Sequence, residues 1–274
     1  MLLGILPFDH RSTFIKELLA FPYPTRTSAQ HHKVVKIKQI IFDAFLHARS
    51  SVKNPEELAI LVDEEFGAPI LREAKKCHIP FALAVEKSGQ AVFDFEYGKK
   101  FSAHITKWKP THAKALVRYD ITQKTDNELQ RARLKLLSDF CAKEGIGFML
   151  ELLVAGPGTR FAQLYQTMQE IIAEGISPTV WKVEGMATTG QWKKLRALTN
   201  AKIIVLGRGD TKTHVIAWLI IAAKSRVVDG FAVGRTVFLK PLMDFRDKKI
   251  DRVSTVERIK KNYLYFINLW RTYV

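Results

Sequence analysis

Short continuous apolar runs recur along the chain and are separated by longer stretches with helical periodicity. Parallel strands that are covered on both faces read as continuous apolar runs, and a helix usually connects one such strand to the next. The sequence therefore predicts alternating strands and helices. The predicted strands are Leu2–Phe8, Leu58–Val62, Phe81–Val85, Ala115–Tyr119, Phe148–Leu152, Thr179–Val183, Lys202–Leu206 and Asp229–Val233.

Between these runs, apolar residues recur every three or four positions, which is the spacing of one helix face. In the first of these stretches, Val34, Ile37 and Ile41 lie on one stripe. The helices predicted in this way are Val34–Ala48, Asn127–Lys143, Phe161–Ala173, Trp192–Thr199, Thr213–Lys224 and a C-terminal helix at Thr255–Trp270.

Eight strand–helix units in 274 residues match the size of one (β/α)8 barrel, the TIM barrel of the α/β class. We predict a single barrel domain over residues 1–274, although an open doubly wound sheet shares this alternation and periodicity does not exclude it. Two segments depart from the pattern. The polar segment Phe21–His32 contains two prolines, which favours a loop or flap. The segment Lys87–Pro110 is long for a simple connection, which favours an ordered insertion over one barrel mouth.

The composition is that of an ordinary globular protein, with 47% hydrophobic and 26% charged residues. No apolar run reaches the ~18–20 residues that cross a bilayer, and no basic leader precedes the first apolar run, so we expect neither a membrane segment nor a signal peptide. Cys77 and Cys141 are too few for a disulfide framework, and we expect a cytoplasmic location.

The formal net charge of +16 is compatible with nucleic-acid binding, with attraction of anionic substrates, or with a solvated surface. The basic residues are scattered, and aromatic residues do not interleave with them as in nucleic-acid motifs. We therefore expect a solvated surface that also attracts anionic substrates, and we expect no nucleic-acid partner. Association into a homo-oligomer would be common for this fold, but no residue indicates an interface.

Charged or polar residues stand at the end of every predicted strand. The active site of a (β/α)8 barrel lies at the carboxyl ends of its strands, and charges inside apolar runs are costly unless they are paired or used. These residues are therefore the candidates for chemistry. By position, they include Asp9, Glu86 and Glu151. We expect five others to contact the substrate or its phosphate, namely His10, Arg11, Asp63, Arg118 and Glu184.

Lys182 lies within the apolar run Val180–Val183. Apolar surroundings disfavour the charged form of a lysine, so its amine becomes available as a nucleophile. The alternative is a lysine that only forms an ion pair inside the barrel, with Glu184 on the same strand face or with Glu151 one strand away. Glu151 would then neutralise Lys182, or it would move protons during imine formation and C–C cleavage, and the two roles are compatible.

The segments VLGRGD and GFAVGRT resemble anion sites. Glycines let the backbone approach a phosphate, and the loops after the seventh and eighth strands commonly bind phosphate in this fold. The candidate phosphate contacts are Gly207, Arg208, Gly209, Gly234 and Arg235. The histidines have no metal-like spacing, and nothing specific favours a divalent ion on Asp9, Asp63 and Glu64, so we expect no metal.

Eight segments between about residues 4 and 240 carry a family resemblance. They are ILPFDHRSTF, AILVDEEFGAPIL, VEKSGQAVFDFEYG, ALVRYD, FMLELLV, WKVEGM, VLGRGD and GFAVGRTVF, of which EKSGQAVFDFEYG is the most specific. With them the chain resembles a domain that is found fused to the C-terminus of the 5-dehydro-2-deoxygluconokinase of myo-inositol breakdown and that also occurs alone. The resemblance implies an aldolase that splits 2-deoxy-5-keto-gluconate 6-phosphate into dihydroxyacetone phosphate and malonate semialdehyde.

More distantly, the chain resembles the class I tagatose-bisphosphate and sulfofructose-phosphate aldolases. This resemblance implies that Lys182 forms the imine and that Glu151 is the acid–base group. It also pairs Asp9 with Arg11 on the first strand, and it implies that Gly234 and Arg235 hold the phosphate. The chain departs from these aldolases where His10 replaces a glutamine, where Gly185 and Met186 replace a proline-containing turn, and where Gly207–Gly209 replaces a serine-rich turn.

The sequence thus predicts a Schiff-base aldolase in which Lys182 attacks a ketone, Glu151 moves protons and Asp9 orients a hydroxyl or assists proton transfer. Such an enzyme needs no cofactor, because the protonated imine serves as the electron sink. Two alternatives stay open. One is a class I aldolase for another ketose phosphate, and the other is a non-catalytic barrel that binds a sugar phosphate or RNA.

Overall fold

Eight parallel strands form a closed barrel, in which each strand pairs with the next along the chain and the last pairs with the first. The computed structural model describes residues 3–274, with only the backbone of Leu3, so Leu2 of the first predicted strand lies outside the described residues. Closure confirms the barrel and excludes the open sheet. The strands are β1 (Leu3–Pro7), β2 (Leu58–Asp63), β3 (Phe81–Ala84), β4 (His112–Asp120), β5 (Gly147–Ala155), β6 (Val180–Val183), β7 (Lys202–Leu206) and β8 (Gly230–Ala232).

Within residues 3–274, ten α-helices accompany the barrel. They are α1 (Ser12–Leu19), α2 (Ser28–Arg49), α3 (Glu64–Lys76), α4 (Phe101–Trp108), α5 (Lys124–Glu144), α6 (Arg160–Ala173), α7 (Thr189–Arg196), α8 (Lys212–Ser225), α9 (Arg235–Arg246) and α10 (Arg252–Tyr273). This arrangement confirms the predicted C-terminal helix. No helix among these residues is long and apolar enough to cross a membrane.

The prediction of a loop over Phe21–His32 is wrong for its last residues. The helix α2 begins at Ser28, because the side chain of Thr27 accepts a hydrogen bond from the backbone N–H of Gln30 at 3.2 Å and so caps the helix start. The polar character that suggested a loop belongs to the solvent-facing side of the first helical turns.

The apolar core has two parts, one on each face of the barrel wall. The larger part fills the space between the strands and the helices. The smaller part fills the barrel interior, where alternate residues of the strands point inward. Its members are Ile5, Ala59, Leu61, Ala82, Ala84, Met149, Val180, Ile204 and Ala232.

The strand register brings polar residues together at the carboxyl end of the barrel. Leu116 on β4 pairs with Glu151 on β5, and Glu151 pairs in turn with Lys182 on β6. Because side chains alternate along a strand, the residue two positions before Leu116, Lys114, points to the same interior. Polar side chains from three adjacent strands therefore meet above the apolar interior.

The segment 87–110 is the ordered insertion over one mouth that the sequence predicts. Its first part folds back through an antiparallel bridge between Glu86 and Phe95, and the ring of Phe95 stacks on Phe101 with centroids 4.1 Å apart. Gln130 of α5 accepts a hydrogen bond from the backbone of Phe93 at 2.9 Å. These contacts hold the insertion against the barrel as one wall of the cavity described below.

Candidate active site

A cavity of about 480 Å³ opens at the carboxyl end of the barrel. Its walls come from the ends of the first, third, fourth, fifth and sixth strands and from residues 86–93 of the insertion. A smaller cavity of about 140 Å³ continues from it toward the loops after β7 and β8. Both cavities are lined by His10, Arg118, Glu151 and Lys182.

Lys182 and Glu151 form the centre of this site. Their side chains are 5% and 10% exposed, and Lys182 Nζ lies 2.8 Å from Glu151 Oε2. The sequence left two carboxylates open as partners of Lys182. The structure selects Glu151, because the neighbouring strands place the two residues directly side by side.

Lys114 completes the site, although the apolar runs of the sequence do not indicate it. Its ammonium lies 2.8 Å from Asp9, 2.7 Å from Glu86 and 2.8 Å from Glu151. An ammonium has three N–H donors, so each carboxylate takes one of them. Glu86, named only as a strand-end residue by position, also belongs to this cluster.

The pKa values in this cluster depart from their ordinary values in opposite directions. Burial lowers the pKa of Lys114, but Asp9, Glu151 and Glu86 together raise it by more than burial lowers it. The pKa of Lys114 therefore lies well above its ordinary value. Burial raises the pKa of Asp9 and Glu151, but Lys114 and other cationic neighbours lower both to below their ordinary values. The pKa of Glu86 is raised by burial and by Asp9, although Lys114 lowers it in part.

His10 lies between the two cavities. Its Nδ1 is 3.9 Å from Asp9, and its ring meets the edge of Phe238 with centroids 6.4 Å apart. Burial lowers the pKa of His10 to about 4, although Asp9 raises it in part. The imidazole is therefore neutral at pH 7, and it can donate a hydrogen bond from one nitrogen and accept one at the other.

Arg11 lines the larger cavity, but its guanidinium is already engaged by the insertion. It donates to Glu96 at 2.5 Å and to the backbone carbonyl of Glu86. Only 4% of Arg11 is exposed. Arg11 therefore joins the end of β1 to the insertion. The sequence suggests instead that its guanidinium contacts the substrate.

Asp63 does not reach the cavity, which corrects its prediction as a substrate contact. It is fully buried and forms an ion pair with Lys38 of α2, which is also fully buried. Its other oxygen accepts a hydrogen bond from the backbone N–H of Phe66 at 2.8 Å. Asp63 turns toward the helix layer because it is the cap of α3.

Glu184 and Arg208 pair with each other at the end of β6 and β7. Glu184 is buried, lies 3.4 Å from Arg160 and accepts a hydrogen bond from the backbone of Val154 at 3.3 Å. Lys182 is thus not its partner. Arg208 lines the smaller cavity, with its charge directed at Glu184.

The loops after β7 and β8 line the smaller cavity, as the sequence predicts for a phosphate site. Gly209 has a φ of +74°, and a Cβ there would lie 2.1 Å from Arg235, so only glycine lets this guanidinium lie against the loop. Arg235 donates to the carbonyl of Arg208 at 2.7 Å. It is also the first residue of α9, where backbone N–H groups lack helical partners and favour an anion. Gly207 and Gly234 line the same cavity.

Arg118 lies at the mouth and lines both cavities. Its side chain is exposed, and no carboxylate within residues 4–274 forms a salt bridge with it. All the predicted site residues except Asp63 and Glu184 thus line one of the two cavities, and Lys114 and Glu86 line the larger cavity with them.

Several solved structures share this fold. The protein Cgl0159 from Corynebacterium glutamicum superposes with a TM-score of 0.61 at 15% identity, covering 96% of this chain and 85% of its own. An archaeal fructose 1,6-bisphosphate aldolase gives 0.54 at 11% identity, with 94% and 92% covered. A Schiff-base-forming fructose-1,6-bisphosphate aldolase gives 0.55 at 11% identity, with the same coverage. At these identities the likeness concerns the fold alone, which is a TIM barrel.

No curated protein sequence matches this chain. One family model matches residues 2–274, which is nearly the whole chain. Its description is "Uncharacterized protein conserved in bacteria (DUF2090)". The chain therefore belongs to the DUF2090 family of bacterial proteins.

Proposed function

We propose that this protein is a Schiff-base aldolase that cleaves a phosphorylated keto sugar or keto sugar acid. The observation that carries the proposal is the contact between Lys182 and Glu151, at 2.8 Å, in a cavity that continues to the glycine–arginine loops. An amine nucleophile, an acid–base group within hydrogen-bond reach and an anion site are the three parts that this chemistry requires.

Lys182 is a better nucleophile than the other buried lysine in the cavity. All three donors of Lys114 face carboxylates, and its raised pKa keeps it an ammonium without a free electron pair. Lys182 has one carboxylate partner, Glu151, which can accept its proton. The permanent charge of Lys114 also keeps Glu151 ionised for this task.

The cleavage would follow from these positions. The neutral amine of Lys182 attacks the substrate ketone to give a carbinolamine, and Glu151 supplies the proton with which the hydroxyl leaves as water. The resulting protonated imine accepts the electron pair of the bond between the α and β carbons as that bond breaks, which leaves an enamine on Lys182. Glu151, or Asp9 beside it, removes the proton from the hydroxyl that becomes the aldehyde. The enamine then takes up a proton, and water releases the ketone product from Lys182.

The phosphate would lie in the smaller cavity, against Gly207, Gly209, Gly234 and Arg235. Contacts far from the reacting carbons fix the ketone beside Lys182, so binding energy lowers the barrier of the chemical step. Two fold neighbours are described as fructose 1,6-bisphosphate aldolases, which supports this assignment. The resemblance to the domain of the myo-inositol pathway favours 2-deoxy-5-keto-gluconate 6-phosphate as substrate, with dihydroxyacetone phosphate and malonate semialdehyde as products.

Borohydride trapping tests the imine directly. The protein is incubated with dihydroxyacetone phosphate, reduced, and examined by intact and peptide mass spectrometry. We expect one stable adduct on Lys182. Lys182→Met should lose the adduct and all turnover while keeping the melting temperature of the wild type. The control variant Lys87→Met changes an exposed lysine on the cavity wall, and it should keep both the adduct and the turnover.

The outcomes separate the alternatives. An adduct together with faster cleavage of tagatose 1,6-bisphosphate than of 2-deoxy-5-keto-gluconate 6-phosphate would support the imine chemistry and would show that the substrate is a different ketose phosphate. An adduct on Lys114 would reverse the assignment of the nucleophile. The absence of an adduct on any lysine, with salt-sensitive RNA binding, would favour a non-catalytic barrel and overturn the proposal.

A further inference from the structure

The carboxyl group of Glu86 is held rigidly at the end of β3. Its backbone carbonyl accepts a hydrogen bond from Arg11, and its backbone pairs with Phe95 in the antiparallel bridge of the insertion. The next residue, Lys87, donates to the carbonyl of Asp94 at 2.8 Å. The backbone that carries the Glu86 side chain is therefore held by two contacts, the bridge to which the Lys87 bond belongs and the hydrogen bond from Arg11.

The two oxygens of this carboxyl group have different surroundings. Oε1 accepts a hydrogen bond from Lys114 at 2.7 Å. Oε2 is buried and has no hydrogen-bond partner among residues 4–274. A buried polar atom without a partner is rare in folded proteins, and this one belongs to a side chain that lines the larger cavity.

The charges of the cluster indicate the form of this carboxyl group. Asp9, Glu86 and Glu151 surround Lys114, and Lys182 adds a second ammonium. Three carboxylates against two ammonium groups leave one excess negative charge in a buried place, which is costly unless one carboxyl group holds a proton. Lys114 and Lys182 both act on Asp9 and Glu151, which are ionised. The second cation beside Glu86 is Arg11, which is already paired with Glu96, so the proton belongs on Glu86.

We propose that Glu86 is a neutral carboxylic acid whose Oε2–H donates a hydrogen bond to an oxygen of the substrate half that leaves as the aldehyde. With Oε1 occupied by Lys114, the proton lies on Oε2, the oxygen that has no partner. The inference rests on the proposed function, because only that function divides the substrate into a phosphate half bound through Lys182 and a leaving half.

The position of Glu86 assigns it to the leaving half. Glu86 lines the larger cavity together with Ser88, Gly89 and Gln90, and it does not line the smaller cavity with the phosphate loops. A substrate with its phosphate in the smaller cavity and its ketone at Lys182 therefore extends its other half toward Glu86. A neutral donor stabilises an aldehyde oxygen or a carboxylate there without adding a charge to the cluster.

The charged groups around Glu86 set the direction of its pH dependence. Lys114 of β4 and Arg11 after β1 lower its pKa, whereas burial and Asp9 after β1 raise it, and the net result lies above the ordinary value. Glu151 shares Lys114 with it, and Glu96 neutralises Arg11. Because the neutral form is required, cleavage should fall as the pH rises through this raised pKa.

Two variants test the proposal. Glu86→Gln keeps an acceptor for Lys114 and a neutral N–H donor in place of Oε2–H, whereas Glu86→Leu has similar size and neither group. We expect Glu86→Gln to keep kcat/KM within a few-fold for the ketose phosphate that the wild type cleaves fastest, without the alkaline fall. We expect Glu86→Leu to lower kcat/KM by roughly 10- to 100-fold, as loss of one hydrogen bond to a developing charge does.

Trapping with dihydroxyacetone phosphate separates this contact from a structural role. That molecule lacks the leaving half, so both variants should form the Lys182 adduct at close to the wild-type rate. Equal losses of trapping and cleavage in Glu86→Leu, with a lower melting temperature, would show a structural role and overturn the inference. An unchanged alkaline fall in Glu86→Gln would overturn it as well. Failure of the wild type to form any adduct would instead refute the proposed aldolase function.

Discussion

The buried pair of Lys38 and Asp63 allows a direct test of the site boundary, because the sequence suggests Asp63 as a substrate contact and the structure places it in the helix layer. The perturbation is Lys38→Met, which keeps the apolar stem and removes the charge. Both side chains are 0% exposed. After the change, the Asp63 carboxylate keeps one hydrogen bond, from the backbone of Phe66 at 2.8 Å, and has no cationic partner.

The magnitude follows from this burial. Removing one partner of a buried ion pair costs about 3–5 kcal/mol, because the remaining charge stays uncompensated in the interior. For a chain of this size, such a loss lowers the melting temperature by roughly 6–20 °C. In Lys38→Met combined with Asp63→Asn, no charge remains and the asparagine still caps α3, so we expect most of the loss to be recovered.

The assay is urea denaturation followed by circular dichroism for the wild type, both single variants and the double variant, with kcat/KM measured on each. We expect a coupling energy of at least about 2 kcal/mol and an unchanged kcat/KM at 25 °C. A loss below about 1 kcal/mol in Lys38→Met would refute the reasoning about the pair. A raised KM in Asp63→Asn at unchanged stability would return Asp63 to the substrate site.

Three further perturbations test the closure of the barrel, the phosphate loops and the buried carboxylates. Gly234→Ala places a Cβ 2.2 Å from the backbone carbonyl oxygen at the end of β1, so urea denaturation should show a loss of about 1–3 kcal/mol. Gly190→Ala, whose Cβ meets nothing closer than 3.9 Å, should stay within about 0.5 kcal/mol of the wild type, and equal losses would contradict the close approach. Arg235→Met removes a charged donor, so calorimetry should show the Kd for inorganic phosphate rising by roughly 10- to 100-fold. An unchanged Kd would mean that the anion binds elsewhere. Asp9 and Glu151 have pKa values below their ordinary values. The stability that they contribute is therefore complete at neutral pH and is lost as the pH falls below about 4.5, and a melting temperature that stays constant down to pH 3 would contradict this.

The strand positions can be predicted from the sequence because every strand of the barrel meets the same requirement. Each strand is covered on both faces, so it must be continuously apolar over several residues. The run Lys202–Leu206 coincides with β7, and Leu58–Val62 differs from β2 by one residue. The helices α1, α3, α4 and α9 do not stand out in the periodicity, because α1 and α4 have only eight residues each and α3 and α9 each contain a proline.

Lys114 is a site residue that lies outside the strand predicted from the sequence. The predicted fourth strand begins at Ala115, since a lysine at the edge of an apolar run reads as part of the preceding loop. The structure begins β4 at His112. A signal was present, because Arg118, Leu116 and Lys114 lie two positions apart and so share one strand face. Extending the face of the recognised Arg118 backward would have found the lysine.

Asp63 failed as a candidate for a different reason. Position at a strand end identifies residues near the mouth, but it does not say whether a side chain turns inward or caps the following helix. That choice depends on Lys38, which lies 25 positions away and supplies the buried charge partner. The partner choice of Glu184 is similar, since Arg208 competes with Lys182 only once β6 and β7 are side by side. Such choices are made by tertiary contacts that no local pattern contains.

Closure of the barrel joins the two ends of the sequence, with a consequence for how the chain is made. β1 pairs with β8, and the hydroxyl of Tyr263 in α10 donates to the carbonyl of Gly4 at 2.9 Å across 259 positions. On the ribosome, the first strand is therefore synthesised long before the strand that covers its open edge. During that interval the edge can pair with other chains. A substitution in β1 or β8 can thus lower the yield of folded protein during synthesis without lowering the melting temperature of the finished barrel.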